Sequence, residues 1–369
     1  MSAFEAHDRA ARFPITKRVA NRADFEAAYP GVFFLDPAET VVLEAYLKEA
    51  SVLEGGELVA RAGPAGVGGM NCTVRVATNR RSVIVKQARP WVENSPQNSA
   101  PWDRALREIA FYELVAGDPV VSRSMPAMLH ADRRARLLVL EDVGAGVDYT
   151  GIYRGENLEE RAVDQLADYL TALHAVLGTR VASAELANRE MRALKRAHLF
   201  FIPLQADNGL DLDAVLPGLA GGARVLREDE AFNSMVARLG HEAYMASGTS
   251  LVHGDFYPGS FLRARPGPRI IDAECCFTGR AEFDVGVFLA HLLLGRLPGQ
   301  LSERFLARYQ TPGRWDEALV LRFAGVEIMR RLIGYGQLPL GYGLEARLDL
   351  LKLARRLVLD PQRDLIYGL

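Results

Sequence analysis

Residues 253–260 read HGDFYPGS, and residues 270–274 read IIDAE. They bring Asp255, Ser260, Asp272 and Glu274 within about twenty residues of one another on a pattern of loop, strand and loop. Phosphoryl transfer requires that inventory: a carboxylate to orient and deprotonate an attacking hydroxyl, and oxygen ligands to hold Mg²⁺ against nucleotide phosphates. Asp255 is the candidate base. Ile270 and Ile271 lead into Asp272 and Glu274, and alternation along an extended segment is expected to put both carboxylates on one side. Two carboxylates there repel unless a cation lies between them, so the pair is a candidate Mg²⁺ site, with Ser260 adding an oxygen directly or through water. His253 reads as a hydrogen-bonding support for the loop. Asp284, in FDVG at 283–286, is placed to cap the apolar helix that begins there or to brace the loop.

Composition narrows the setting. A net charge of −2 over 369 residues gives no general attraction to nucleic acid or anionic lipid, so neither is an expected partner. No apolar run is long enough to span a bilayer, and the early polar and charged residues lack a signal-peptide core. Cys72, Cys275 and Cys276 form neither a metal spacing nor an even disulfide set, which fits a reducing compartment. A cytoplasmic protein is expected.

The texture of the chain changes twice. Residues 1–55 read as helical or irregular, ending in an amphipathic run over 41–50. Strand-like runs come next (ELVARA from 57, CTVRVAT from 72, SVIVKQ from 82), then a helix over 102–115 and two further strands near 125–131 and 136–140. From residue 157 helical periodicity dominates, opened by a capping-box pattern at Asn157 and Glu160. Helices are expected near 183–198, 225–247, 282–295, 302–310, 315–336 and 344–358. The expected fold is α+β and two-lobed, protein-kinase-like, with a β-rich N-lobe (1–140) and a mainly helical C-lobe (141–369). The spacing from His253 to Ser260 equals that of the protein-kinase loop H-R-D-x-x-x-x-N, with Gly for Arg and Ser for Asn.

The nucleotide side accords with the same plan. Gly66, Gly68 and Asn71 lie in a glycine-rich connection whose backbone amides can approach phosphate oxygens closely. Lys86 ends an apolar strand, where it would neutralise the α- and β-phosphates. Glu108 on the next helix stands where kinases keep the partner that fixes this lysine; spacing leaves Glu113 as a rival. Glu141 comes after a buried strand, at the start of an expected hinge near 140–146 whose backbone would meet the adenine edge.

These motifs resemble the aminoglycoside phosphotransferase and choline kinase superfamily, and within it the 5-methylthioribose kinases. Those enzymes carry Ser in an HGDxxxGS loop, as at 253–260, and a D-x-E motif close to IDAECCFTG at 271–279, then the FDxG of 283–286. VKQARPWV at 85–92 is similar to a segment of theirs. The resemblance spans roughly residues 45–335. Their nucleotide loop reads G-x-G-N-x-N, whereas here Gly68 precedes Gly69 and only Asn71 is retained. The resemblance implies ATP and Mg²⁺ as cofactors, a hydroxylated small-molecule acceptor, acceptor binding by Arg330 and Arg331, and a homodimer.

The expected function is ATP-dependent phosphoryl transfer to a hydroxyl of a sugar, 5-methylthioribose or a relative. Residues 322–357 hold seven Lys or Arg against three acids, which favours a neutral or anionic acceptor over a cationic one. Two other readings stay open here: a phosphotransferase for an antibiotic or other hydroxylated metabolite, and a nucleotide-binding pseudokinase acting as an interaction module.

Overall fold

The computed structural model describes residues 19–66, 69–144 and 146–367. The chain divides into two compact units, Met1–Ala105 with Met128–Asp142, and Leu106–Ala127 with Val143–Leu369.

The first unit begins with helices α1 (Arg22–Ala28) and α2 (Thr40–Glu49). Its strands are β1 (Val59–Pro64), β2 (Cys72–Thr78), β3 (Ser82–Gln87), β4 (Trp91–Val92), β5 (Ser95–Ser99), β6 (Met128–Asp132) and β7 (Leu137–Glu141). Five form one antiparallel sheet in the order β1-β2-β3-β7-β6, and β4 with β5 make a separate hairpin. The runs expected to be strands are those of the sheet. Alternation decides its faces: Val74, Val76, Val83, Val85, Leu137 and Val139 point to one side and pack with Leu43 and Leu47 of α2. Each such side chain, removed from water, contributes about 1.5–3 kcal/mol. Gln87 is also fully buried, and its amide bonds to Phe33, Leu35 and Ala135 staple the entry segment to β3.

The second unit is mainly helical: α3 (Arg104–Val115, which starts in the first unit), α4 (Pro119–Arg123), α5 (Glu160–Ala175), α6 (Arg189–Arg196), α7 (Leu212–Val215), α8 (Leu219–Arg227) and α9 (Glu230–Arg238). Short strands β8 (Ser250–Val252), β9 (Phe261–Leu262), β10 (Arg269–Ile270) and β11 (Phe277–Gly279) come next. Helices α10 (Glu282–Leu294), α11 (Gly299–Arg308), α12 (Glu317–Ile333) and α13 (Leu344–Leu359) complete it. Every residue of α10 is buried, as its apolar circumference requires. A Cβ on Gly286 would lie 2.5 Å from the Val320 carbonyl, so glycine permits the close approach of α10 and α12.

Three expectations about local structure are corrected. The capping box at Asn157 does not form, because α5 starts at Glu160 and Asn157 lies too early to reach its first amides; Glu159 holds the cap position without a side-chain bond. The helix expected over 183–198 is broken at Asn188, which is left-handed with φ 43°. The one expected over 225–247 is interrupted where Asp229 caps α9 through the Phe232 amide.

Candidate functional site

In the first unit, Lys86 pairs in register with Thr73 and Leu138, on the sheet face opposite the α2 core. It is only 4% exposed. Arg75 lies on the same face opposite Ile84, held by Asp142 through Nε (2.7 Å) and Nη2 (3.1 Å). A cavity of about 290 Å³ opens beside it, lined by Arg61, Gly63, Pro64, Arg75 and Ala77. Asn71 accepts a 2.9 Å hydrogen bond from the buried Arg104, whose other nitrogens bond the carbonyls of Met70, Arg89 and Pro101. The second half of the glycine-rich connection is thereby tied to the start of α3. Among the described residues, no atom lies within 4 Å of where a Cβ on Gly66 would sit. Gly68 lies outside the described residues. Glu141 closes β7 with its side chain exposed.

In the second unit, β8 pairs with β11, and the chain turns sharply after Val252. Gly254 makes the turn at φ 81°; a Cβ there would meet the Cys275 carbonyl at 2.1 Å, so only glycine fits. The amides of His253 and Gly254 both donate to the Asp284 carboxylate, at 2.7 and 3.0 Å. Asp284 is fully buried and also faces His174 Nε2 at 3.2 Å. It braces the loop rather than capping α10, whose cap position is Ala281. His253 Nε2 lies 3.1 Å from the Ile271 carbonyl, and its Nδ1 accepts from the Asp255 amide, which requires the Nε2–H tautomer. Burial lowers its pKa, keeping it neutral. The expected supporting roles of Asp284 and His253 are those observed.

Asp255 emerges from this turn with 27% of its side chain exposed. Lys195 Nζ donates to its Oδ1 at 2.7 Å, and Arg330 Nη2 approaches the same oxygen at 3.8 Å. Burial alone would raise the Asp255 pKa, but Lys195, Arg330 and Arg331 outweigh it and pull the group down to about 2. The Ser260 hydroxyl donates to the Asp255 carbonyl at 2.9 Å, closing the loop on itself.

Arg330 and Arg331 project from the last turn of α12 and share Glu327. Arg330 is bidentate to it, both bonds at 2.8 Å, and Arg331 Nε reaches its Oε1 at 2.7 Å. Burial opposes the charge on Glu327, yet the two arginines hold it ionised far below the usual carboxylate range. His291 bridges Glu327 (3.0 Å) to the Tyr153 hydroxyl (2.6 Å), and burial brings its pKa to about 4. Arg331 also lies over the Tyr257 ring at 4.3 Å, a cation–π contact.

The carboxylates of Asp272 and Glu274 do not come from an extended segment, which corrects the alternation argument. Strand β10 stops at Ile270, Asp272 is left-handed at φ 64°, and residues 273–275 form a 3₁₀ turn. The chain must reverse here to enter β11, and Asp is among the few non-glycine residues that accept that backbone. Asn188 supports the turn from outside, donating to the carbonyls of Glu274 (2.9 Å) and Cys276 (2.8 Å). Burial separates the two candidates on α3: Glu108 is 1% exposed, whereas Glu113 is exposed.

Sequence reading missed Lys195, Asn188, Glu327 and Arg104. The only available signal for Lys195 was its place on a polar helix flank, which ordinarily marks a solvated face.

The profile of the phosphotransferase enzyme family matches residues 64–319. Methylthioribose kinase of Cronobacter sakazakii is 28% identical, over 79% of this chain and 84% of that protein. The methylthioribose kinase of Exiguobacterium sibiricum is 26% identical, over 73% and 78%. Among solved structures, a choline kinase from Streptococcus pneumoniae superposes with a TM-score of 0.50 at 16% identity, covering 86% of this chain and 98% of its own. One from Cryptosporidium parvum gives 0.50 at 13% identity, covering 89% and 96%. At that identity the likeness speaks to fold, and it is the α+β kinase-like fold expected from the sequence.

Proposed function

This chain belongs to the phosphotransferase enzyme family, ATP-dependent enzymes that phosphorylate hydroxyl groups, and we propose that its acceptor is 5-methylthioribose or a closely related sugar. The observation that carries this reading is the cationic surround of Asp255. Lys195, Arg330 and Arg331 converge on a partly exposed carboxylate, a setting that repels a cationic aminoglycoside and suits a neutral hydroxylated ring.

The low basicity of Asp255 shapes the chemistry. A carboxylate at about 2 does not take a proton from a resting sugar hydroxyl. It accepts a hydrogen bond, sets the hydroxyl oxygen in line with the γ-phosphorus, and receives the proton once P–O bond formation has made it acidic. That timing fits a largely dissociative transition state. Arg330 and Arg331, already fixed by Glu327, would donate to acceptor oxygens. Lys86 would neutralise the α- and β-phosphates, with the buried Glu108 in the lysine-fixing role rather than Glu113. Gly66, Gly68 and Asn71 would line the phosphates, and the backbone at Glu141 would meet adenine.

Asp272 and Glu274 offer oxygen donors only, the chemistry a hard divalent cation prefers, so the residues present fit Mg²⁺. Among the described residues no three His, Cys, Asp or Glu side chains converge as a metal cage. Asp272 and Glu274, with Ser260, would hold the ion, which would offset phosphate charge. The deciding experiment is ADP release across a panel of acceptors. Methylthioribose-dependent release supports the proposal; release driven by an aminoglycoside and not by methylthioribose overturns it. Mg-ATP binding without turnover on any acceptor would favour the pseudokinase reading.

A further inference from the structure

Helix α6 carries Arg192 and Lys195 three residues apart on one flank, and Asn188, left-handed, holds its N-cap. Each is attached to a different part of the site. Asn188 holds the carbonyls of Glu274 and Cys276, inside the turn that presents Asp272 and Glu274. Arg192 is buried, bonds the carbonyls of Tyr244 and Ala246, and lies 4.3 Å over the ring of Phe277 in β11. Lys195 reaches Asp255. Directly after Lys195 and Arg196 the backbone widens into a π-helical turn, Ala197–Phe201, the kind of insertion that re-aims side chains near functional sites.

Two of the three cations around Asp255 sit on the same oxygen. Lys195 and Arg330 approach Oδ1, and among the described residues Oδ2 has no hydrogen-bond partner. A carboxylate terminal torsion is soft and roughly two-fold, so an unrestrained aspartate would offer either oxygen in many directions. A charge-assisted bond at 2.7 Å to one oxygen removes that freedom and makes the two inequivalent.

We propose that Lys195 is a positioning residue: it clamps Oδ1 so that Oδ2 faces the acceptor hydroxyl, and α6 fixes that direction relative to the Asp272–Glu274 turn. This rests on the reading of Asp255 as the proton acceptor. The acceptor oxygen forms the new bond to the γ-phosphorus, the bond to the β,γ-bridging oxygen breaks with ADP leaving, and the hydroxyl proton passes to Oδ2. Lys195 keeps its protons throughout.

The test compares Lys195→Ala and Lys195→Arg with the wild type in acceptor-dependent ADP release, reading kcat and both KM values separately. Misdirecting the carboxylate should lower kcat by about 10- to 100-fold while KM for ATP stays unchanged. Lys195→Arg should recover most of the loss, and added n-propylamine should restore part of the activity of Lys195→Ala. An unchanged kcat in Lys195→Ala overturns the proposal, as does a loss matched by failed folding with neither rescue. If wild-type protein turns over no acceptor, the reading of Asp255 fails separately. The clamp is then judged by a melting cycle of Lys195→Met, Asp255→Asn and the double variant, where non-additivity supports it and additivity overturns it.

Discussion

Two turns in the second unit present carboxylates, and they are built in opposite ways. The turn at 253–255 uses glycine for its left-handed step and is gripped from beneath by Asp284, which takes two of its amides. The turn at 272–274 puts the aspartate proposed to hold the ion in the left-handed position and is held from outside by Asn188 through the carbonyls of Glu274 and Cys276. In the first, the residue that bends the chain and the residue proposed to do chemistry are separate. In the second they are the same. Direction therefore reaches Asp255 through packing and ion pairing, and reaches Asp272 through backbone shape.

The sharpest way to break the comparison is to remove each carboxylate. Asp255→Ala and Asp272→Ala should each lower turnover by on the order of 10²- to 10⁴-fold, measured as acceptor-dependent ADP release, with circular dichroism unchanged. Equal activity in either variant removes that residue from the machinery. Next in size is the brace. Asp284→Ala leaves two amides and His174 facing a void, and should cost about 3–5 kcal/mol of stability in denaturant unfolding, whereas the outer support, Asn188→Ala, should cost only about 1–3 kcal/mol.

Acidity separates the turns more gently. The first contains a neutral histidine, His253, whose pKa burial lowers; elsewhere in the second unit burial also brings His291, bonded to Glu327, and His198, beside Tyr335, to about 4. Unfolded histidine titrates near 6.5, so the unfolded chain binds more protons below that value. Stability is complete above about pH 6.5 and falls as pH drops toward 4. A melting midpoint flat across that window would remove this account. The depressed Asp255 adds its own loss only below about pH 4, as its ordinary value is approached. The smallest effect should come from Asp272→Gly, which relaxes the left-handed step. Stability should change by less than about 1 kcal/mol while turnover falls as far as in Asp272→Ala.

Much of this was legible in the chain. Period-two alternation located the strands of the five-stranded sheet, and the apolar run of α10 marked a helix, which the fold then buries on every side. The loop from His253 to Ser260 could be read because its chemistry is contiguous in sequence. Lys195 could not, because sixty residues separate it from Asp255 and a lysine on a helix flank is usually solvated. The Asp272–Glu274 turn was misread for a related reason. Strand β10 lasts two residues, too short for alternation to govern the residues beyond its end, and the demand to reverse into β11 prevails. Asn157 misled because capping depends on one-residue placement, which only the formed helix defines.

The carboxylate of Glu327 has a further consequence. Two arginines of high rotameric freedom are immobilised by one buried acid before any sugar arrives, so their conformational entropy, about 2 kcal/mol for each side chain, is lost on folding and not on binding. On the proposed reading of Arg330 and Arg331, an incoming acceptor would meet donors that do not adapt to it. Sugars lacking a matching oxygen would leave those donors unsatisfied, and selectivity would become a matter of rigid shape rather than of attraction.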